Sequence, residues 1–232
     1  MITIILPVYN QCRMLRNVER VAAAAEKLGM PYEIIIAEDG STDGSAEEAM
    51  KLAESNPKVV HLHSDERLGR GEALKRAFKA GKGDYLIYMD IDLATDLSAL
   101  QPLVNALAKS DVAIGSRYHS LSKTKRTPKR LFLSKVYNNM IRLFTGAHVS
   151  DFQCGFKGFR REFVEGIMDD VRDNGWFWDT EIVVLAQRGG FSVEEVPVEW
   201  EEKRGSTVTI LKDSLEMGWK GLMLGWRVRT GG

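Results

Sequence analysis

The first 115 residues alternate short apolar runs, rich in β-branched side chains, with stretches of helical periodicity. The apolar runs cover residues 2–8, 32–37, 59–62, 85–89 and 112–115. Such alternation is typical of βαβ units, in which each helix connects two parallel strands of one sheet. The run at 32–37, YEIIIA, is almost continuously apolar, as expected for a strand that helices cover on both faces. The sequence therefore predicts an α/β fold with a mainly parallel sheet flanked by helices.

The composition is that of an ordinary globular protein, with 44% hydrophobic and 28% charged residues among 232. A chain of this length can bury a substantial core as a single domain. Its two cysteines, Cys12 and Cys154, cannot form a disulfide framework, and the N-terminus lacks the pattern of a cleaved signal peptide. No apolar stretch approaches the roughly 20 residues of a membrane-spanning helix. We therefore expect a cytoplasmic protein that does not cross a membrane by itself.

Charge is distributed unevenly, although 32 basic and 32 acidic side chains cancel over the whole chain. The segment from Val112 to Ser150 contains eight lysines and arginines and no aspartate or glutamate. The remaining residues carry 24 basic and 32 acidic side chains, a net charge of −8. This asymmetry favours an anionic partner on one side of the protein, such as a phosphate ligand or an anionic membrane surface. We expect no nucleic-acid partner.

Two amphipathic helical patterns follow the alternating region. Thr127 and Pro128 suit the N-cap and first position of a helix, which Gly146 can end. The second pattern runs from about Ile210 to Arg229. Its apolar residues are Leu211, Leu215, Trp219, Leu222 and Trp226, and its basic residues, which can reach away from that face, are Lys212, Lys220, Arg227 and Arg229. Each helix is suited either to pack on the sheet or to lie at a membrane interface.

Two aspartates, Asp90 and Asp92, directly follow the predicted strand at 85–89. The carboxyl ends of parallel strands form the edge where open α/β folds bind ligands. Two carboxylates there suit Mg²⁺ or Mn²⁺, which can neutralise the oxygens of a diphosphate and so make it a good leaving group. A solvated acidic loop is the alternative, but the position after a strand favours the metal site.

Two other polar loops follow strands and should reach the same edge of the sheet. Pro7, Tyr9 and Asn10 belong to the first loop, and Glu38 and Asp39 begin the second. An aromatic ring can stack on a nucleobase and an aspartate can accept from a base N–H, so Tyr9 and Asp39 are candidate contacts to uracil or guanine. The same residue types are common in turns, so each loop by itself is also consistent with turn chemistry.

Two further groups are weaker candidates for ligand binding. Residues 67–71 open a helix whose N-terminal amides, with Arg70, could meet a phosphate, although the spacing excludes a P-loop. His61 and His63 alternate on a predicted strand and could ligate a metal, but the sequence indicates no third ligand.

Several motifs together resemble a known family. They are PVYN at 7–10, EDGSTD at 38–43, RLGRGEA at 67–73, DID at 90–92 and GSR at 115–117. In this order and spacing the chain resembles, over essentially its whole length, the GT-A fold glycosyltransferases of family 2. These enzymes transfer a sugar from a nucleotide-sugar with inversion of the anomeric configuration. Residues 151–159, 178–181 and 196–200 are most similar to dolichyl-phosphate glucosyltransferases, with dolichyl-phosphate mannose synthases as near neighbours. The mannose synthases usually have a Gln two residues after the second Asp, where this chain has Ala94.

The resemblance implies a role for each matching residue on the donor side. Tyr9 and Asp39 would contact the base, Arg70 the nucleotide, and Asp90 with Asp92 the ribose, the metal and the diphosphate. The full nucleotide-binding set is Pro7, Tyr9, Asn10, Glu38, Asp39, Arg70 and Asp90. Residues 1–115 would form the nucleotide-sugar half of a single domain, 116–206 the acceptor half, and 207–232 a C-terminal amphipathic segment.

On the acceptor side the resemblance implies that a phosphate is held by Arg117, Arg130, Ser134 and Arg204. A phosphate that approaches a diphosphate needs guanidinium groups to suppress the charge repulsion, and Arg117 and Arg130 lie in the acid-free run. For each arginine singly, a solvated surface position is an equally good interpretation.

Asp179 and Glu181 lie where many relatives place the base that deprotonates a sugar hydroxyl. A phosphate acceptor has a second pKa of about 6 and is largely ionised near neutrality, so it does not need that base. We therefore assign Asp179 to positioning the donor sugar or the acceptor. The alternative is a carboxylate that only pairs with Arg204 or Lys157.

The sequence thus predicts an inverting hexosyltransferase that uses Mg²⁺ or Mn²⁺. The donor would be a nucleotide-sugar, UDP-glucose first and GDP-mannose second, and the acceptor a dolichyl or polyprenyl phosphate at the cytoplasmic face of a membrane. The catalytic set is Asp90, Asp92, Arg117, Asp179 and Arg204. We expect peripheral contact with the membrane surface, with an anchoring partner or a homo-oligomer as a further option.

Three alternatives stay open. A family 2 transferase with a sugar-hydroxyl acceptor would need Asp179 as a base. An aspartyl-phosphate phosphatase is suggested by Asp90 and Asp92 followed by Thr95, although such enzymes usually carry this motif after their first strand. A non-catalytic nucleotide-binding module is the third.

Overall fold

A computed structural model describes residues 1–203 and 210–230, and the side chains of 210–215 lie outside this description. The strands are β1 Ile2–Val8, β2 Tyr32–Glu38, β3 Val59–Leu62, β4 Tyr85–Met89, β5 Val112–Ser116, β6 Lys123–Lys125, β7 Phe156–Arg160, β8 Val193–Pro197 and β9 Glu199–Glu201. The helices are α1 Asn17–Glu26, α2 Ser45–Ser55, α3 Arg70–Ala80, α4 Leu100–Leu107, α5 Pro128–Thr145, α6 Arg161–Ile167, α7 Trp178–Arg188 and α8 Ile210–Thr230.

Seven strands form one sheet in the order β3-β2-β1-β4-β7-β5-β8. Adjacent strands are parallel except at β7, which lies antiparallel between β4 and β5. Because β7 and β8 come from the second half of the chain, both halves contribute to a single sheet. Strands β6 and β9 form a separate two-stranded parallel sheet. The predicted α/β fold with a mainly parallel sheet is confirmed.

Two apolar clusters cover the two faces of the sheet. Side chains of α1, α2 and α4 pack against one face, and side chains of α3, α5, α6, α7 and α8 pack against the other. Successive residues of a strand point to opposite faces, so Ile4 and Leu6 of β1 join the first cluster and Ile5 joins the second. This double cover explains why the runs in β1 and β2 are apolar at nearly every position.

The polar loops after β1, β2 and β4 meet at one edge of the sheet. The Asn10 carboxamide accepts a hydrogen bond from the Thr42 amide at 2.8 Å, and the Asn10 amide donates to Ser41 Oγ at 3.0 Å. Asn10 has a φ of +51°, a left-handed conformation that asparagine tolerates better than most residues. The amide of Asp90 donates to the carbonyl of Gly155, just before β7, at 3.0 Å. The expected convergence of these loops is therefore observed.

Helix α8 packs closely against α5 through two glycines. A Cβ atom at Gly221 would lie 2.5 Å from Ile141 Cδ1, and one at Gly225 would lie 2.5 Å from the Phe144 carbonyl oxygen. The glycines weaken intrinsic helix propensity, but here they allow the two helix backbones to approach. None of the helices in the described part of the chain has the length and apolar character required to span a bilayer.

Candidate active site

A cavity of about 870 Å³ opens at the edge of the sheet where the loops meet. It is within the usual size range of ligand sites. Most of the residues proposed from sequence line it: Pro7, Asn10, Arg70, Asp90, Asp92, Arg117, Arg130, Ser134 and Asp179. Arg204 lies outside the described residues. The fold therefore brings the donor-side and acceptor-side candidates to one cavity.

Asp90 occupies the base of the cavity and is held from two directions. Its Oδ1 accepts from Arg70 Nη2 at 2.7 Å, and Arg70 comes from the first turn of α3. Gly155 touches the other side of the carboxylate, since a Cβ atom there would lie 2.0 Å from Asp90 Oδ2. Only glycine at 155 leaves room for this side chain. Arg70 thus already neutralises part of the charge of Asp90.

Asp92 is the carboxylate of this pair that most lacks compensation. Burial and the neighbouring charge of Asp90 raise its pKa. One oxygen accepts from the Ala94 amide at 2.9 Å. The backbone between Asp92 and Ala94 is strained, because Leu93 has a φ of +51°. A cation beside Asp92 would relieve the repulsion from Asp90 and replace the lost hydration.

A buried ion network lies beneath Arg70. Asp179, in the first turn of α7, accepts from Lys157 Nζ at 2.7 Å and lies 3.5 Å from Arg70 Nε. Lys157 is on β7 and also donates to the Tyr88 hydroxyl and the Cys154 carbonyl. Burial raises the pKa of Asp179 to about 6 and lowers the pKa of Lys157 to about 7. Asp179 thus lines the cavity, as a positioning residue would, and also pairs with Lys157, as the alternative interpretation expected.

Arg117 does not present a free charge to the cavity. Its Nε and Nη2 donate to the two oxygens of Asp151 at 2.6 and 2.7 Å, and its backbone amide donates to the same carboxylate at 3.0 Å. The Asp151 side chain is fully buried. Such a bidentate pair has little net charge. Arg117 therefore lines the cavity as half of a neutral pair.

Other cations of the acid-free run are also paired, because acids distant in sequence fold against them. Arg130 Nη1 lies 2.6 Å from Glu202. Lys123 and Lys125 of β6 pair with the two glutamates of the adjacent strand β9. The run contains no acidic residue, but in the folded protein acids from other segments neutralise several of its cations.

Arg126 is the one arginine of the cavity that is partly buried and has no carboxylate partner among the residues that the structure describes, whereas Arg13 lines the cavity as an exposed side chain. Arg126 Nη1 donates to Ser134 Oγ at 2.8 Å and approaches the Tyr118 hydroxyl at 3.4 Å, and no carboxylate of residues 1–203 or 216–230 lies within ion-pair distance. Its Nε is buried and has no hydrogen-bond partner in the part of the chain that the structure describes. Burial and the nearby charge of Arg117 lower its pKa. Sequence reasoning did not single out Arg126, although its place in the acid-free run was a signal.

Three donor-side candidates do not line the cavity. Asp39 is 3% exposed, and its two oxygens accept from the amides of Leu68 and Gly69 at 2.7 and 3.0 Å. Glu38 is buried beside β3, where it accepts from Ser41 and contacts His63. The Tyr9 ring lies under the guanidinium of Arg67, 3.9 Å from its centroid. The structure thus places Asp39 where it fixes the 67–70 loop, and its contact to a base stays a prediction.

Helices α5 and α8 form one wall of the cavity and also expose apolar side chains. Leu133, Ser134 and Tyr137 of α5 and Met217 of α8 line the cavity. Elsewhere these helices expose Phe132, Val136, Leu143, Trp219, Leu222, Met223 and Trp226. Both tryptophans are 65% exposed. Exposed apolar groups of this size on two adjacent helices are unusual for a surface that meets only water.

Lys220 and Arg227 of α8 turn toward acids of the protein, while the side chain of Lys212 lies outside the described residues. Lys220 pairs with Asp173 at 2.6 Å and with Glu216 at 2.8 Å. Arg227 pairs with the buried Glu181 at 2.7 Å, which also removes Glu181 as a candidate for the cavity. Acids of the α6–α7 region lie directly under α8, so these two cations face the protein and not the solvent. The helix instead directs cations inward and tryptophans outward.

Comparison with known proteins agrees with this geometry. The family model "Glycosyl transferase family 2" matches residues 3–168. The chain belongs to that family. The predicted glycosyltransferase is thereby confirmed, and neither the family nor the Arg70 pairing of Asp90 supports the phosphatase alternative.

Relatives and solved structures extend the comparison. Glycosyltransferase AglD of Haloferax volcanii is 44% identical over 98% of this chain, which spans 37% of that protein. Dolichyl-phosphate beta-glucosyltransferase of Saccharomyces cerevisiae is 29% identical over 93% of this chain and 71% of its own length. Glucosyl-3-phosphoglycerate synthase from Mycobacterium tuberculosis, solved with Mn²⁺, UDP and glucosyl-3-phosphoglycerate, superposes with a TM-score of 0.68 at 18% identity over 100% of this chain and 80% of that chain. The predicted GT-A fold is thus confirmed.

Proposed function

We propose that this protein transfers a hexose from a nucleotide-sugar to a polyprenyl-type lipid phosphate, with inversion at the anomeric carbon. The observation that carries the proposal is that Arg126, which has no carboxylate within ion-pair distance among the described residues, lies in the same cavity as the Asp90 and Asp92 pair. One end of the cavity suits a cation and a diphosphate, and the other end suits an anion. The yeast relative is named for the same class of acceptor.

The donor end fits a divalent cation. Asp92 is a partly buried carboxylate whose pKa is raised by burial and by Asp90, so a cation is electrostatically favoured there. Carboxylate oxygens suit Mg²⁺ or Mn²⁺, and the mycobacterial structure of the same fold contains Mn²⁺. Such a cation, when bound, supplies charge neutralisation for the diphosphate leaving group. Arg70 adds a guanidinium at the same end, 2.7 Å from Asp90.

The acceptor end fits a phosphate better than a neutral hydroxyl. Among the described residues Arg126 has no carboxylate partner, and Ser134 adds a hydroxyl 2.8 Å from its guanidinium. Arg117 and Arg130 contribute less than the sequence predicted, because Asp151 and Glu202 already pair with them. A phosphate oxygen in the cavity would give the Arg126 guanidinium an anionic partner and offset the repulsion between Arg126 and Arg117.

The transfer step needs no base when the acceptor is an ionised phosphate. A phosphate oxygen forms the new bond to the anomeric carbon, and the bond from that carbon to the nucleoside diphosphate breaks. Asp179 contacts Lys157 and Arg70, which suits a residue that positions Arg70. Charge stabilisation by Arg70, Arg126 and the aspartate pair would supply most of the acceleration.

A membrane is the natural source of such an acceptor, and α5 with α8 suits contact with its surface. The exposed tryptophans Trp219 and Trp226 are of the type enriched at membrane interfaces. Because the same two helices wall the cavity, a lipid tail that leaves the cavity beside Leu133 or Met217 would pass along apolar surface. The cytoplasmic face of the membrane is the side on which we place this contact.

The test is product analysis with purified protein, Mn²⁺ or Mg²⁺ and detergent-solubilised polyprenyl phosphate. Radiolabelled UDP-glucose, GDP-mannose and other nucleotide-sugars are supplied in parallel, and lipid extracts are separated by thin-layer chromatography. We expect a labelled glycolipid that is stable to mild base and labile to mild acid, with UDP-glucose as the preferred donor. The absence of labelled lipid with every donor would contradict the proposal.

A further inference from the structure

Three potential metal ligands lie together at the outer edge of the sheet, away from the cavity. Glu38 ends β2, and His61 lies on β3, with His63 directly after that strand. In the parallel register Ile36 pairs with His61 and Ala37 with Leu62, so Glu38 comes level with His63. Side chains two residues apart share a face of a strand, which puts both imidazoles on the face of Glu38. Strand pairing therefore supplies the third ligand that the sequence did not indicate.

The distances are close to those of a metal site. One ring nitrogen of each histidine and one oxygen of Glu38 all lie within 4.8 Å of one another. Glu38 Oε2 contacts His63 Nδ1 at 2.5 Å, and the two imidazole centroids are 5.6 Å apart. Ligands about 2.0–2.2 Å from a tetrahedral Zn²⁺ are roughly 3.3 Å from each other. The three ligand atoms would have to draw together to reach that separation, and the half-exposed His63 side chain has room to move.

The remaining contacts suit a site of this kind. His61 Nε2 is buried and has no hydrogen-bond partner in the described part of the chain. His63 Nε2 lies 3.3 Å from Asp65, a carboxylate placed to orient a histidine that binds metal through Nδ1. Glu38 uses its other oxygen, Oε1, to accept from the Ser41 amide at 2.5 Å, so a metal on Oε2 would leave that contact intact.

We propose that Glu38, His61 and His63 form a second metal site, distinct from the aspartate pair, for a borderline cation such as Zn²⁺. Two imidazoles and one carboxylate leave a fourth position for water, and imidazole favours Zn²⁺ over Mg²⁺. Ser41 Oγ accepts from the Asn10 amide, and Asn10 lines the cavity. The site thus joins the edge strand β3 to the loop beside the cavity, and the cation would hold that loop in place.

The test is Zn²⁺ binding by calorimetry with Mg²⁺ in large excess, so that the aspartate pair does not compete for Zn²⁺. We expect one Zn²⁺ per wild-type chain, a rise in melting temperature, and visible absorption when Co²⁺ replaces Zn²⁺. H63Q and H61Q should each lower the affinity for Zn²⁺ by at least roughly ten- to hundredfold. Loss of a residue that only orients a metal ligand already costs that much. The matched control H148Q, at an exposed histidine outside the cluster, and D92N should both bind as the wild type does.

The exposed position of His63 keeps the test informative if H61Q fails to fold. Wild-type binding that H63Q does not weaken would overturn the proposal, and so would the absence of Zn²⁺ binding to the wild type. A Zn²⁺ site lost in D92N but retained in H63Q would assign the ion to the aspartate pair and also overturn it. None of these readouts requires glycosyl transfer, so the result is independent of the proposed function.

Discussion

Replacing Arg126 with methionine should selectively weaken the use of the lipid phosphate. Methionine keeps an unbranched side chain of similar length but removes the buried Nε–H and the hydrogen bond to Ser134. Hydrogen bonds to a charged group contribute about 1.5–3 kcal/mol, which corresponds to a rise of roughly 10- to 150-fold in the KM for the acceptor. The protein itself should lose little stability, because the change also removes the repulsion that lowers the pKa of Arg126.

The assay is initial-rate transfer at varied polyprenyl phosphate in micelles of fixed composition, with saturating nucleotide-sugar and metal. The matched control is K129M, which removes one exposed positive charge from the same basic run without touching the cavity. We expect K129M to behave as the wild type and the KM for the nucleotide-sugar to stay unchanged in R126M. Equal losses in both variants would show a general attraction of the anionic micelle, and an unchanged acceptor KM in R126M would refute the assignment of Arg126.

Four other changes follow from the same contacts. D92N, like removal of divalent ions by a chelator, should reduce the initial rate of transfer at least about a hundredfold, because a metal ion stabilises the developing charge of the leaving group by several kcal/mol. A D92N rate near that of the wild type would exclude this role of Asp92. R117M should lower the free energy of unfolding by about 3–5 kcal/mol in urea titrations, because it leaves the fully buried Asp151 unpaired, whereas R117M with wild-type stability would mean that the pair contributes nothing. The free energy of unfolding of D179N should rise relative to that of the wild type by up to about 3 kcal/mol between about pH 4 and pH 7, because wild-type Asp179, with a pKa raised to about 6, binds its proton more tightly when folded and destabilises the fold as it ionises. A difference in unfolding free energy that does not change with pH would contradict this. A hundredfold loss of transfer in D179N would instead favour a hydroxyl acceptor. The double variant W219S/W226S should bind anionic vesicles at least roughly tenfold more weakly in sedimentation, while M50S, at an exposed apolar residue on the opposite face, should bind normally.

The strands that position the donor end could be predicted because each is a local pattern. The runs at 2–8, 59–62 and 85–89 match β1, β3 and β4 residue for residue. Strand β7, FKGFR, was missed because Lys157 and Gly158 interrupt it, so its sequence lacks a continuous apolar run. That lysine, Lys157, is buried only because Asp179 of α7 folds over it. A local pattern does not contain this partner.

The acceptor end was predicted less well, since charge pairing depends on residues far apart in sequence. Arg117 is neutralised by Asp151, 34 residues away, and Arg130 by Glu202. From sequence these arginines and Arg126 are equivalent members of one basic run. Only the folded chain distinguishes the one whose nitrogen stays without a partner.

Acceptor choice tests the central claim most directly. Wild-type protein with its preferred nucleotide-sugar is given polyprenyl phosphate or polyprenol of the same length, and kcat/KM is measured for each. The anion-binding end of the cavity predicts transfer to the phosphate with an inverted anomeric linkage and no measurable transfer to the alcohol. Equal transfer to both lipids, or transfer only to a sugar hydroxyl, would contradict the account.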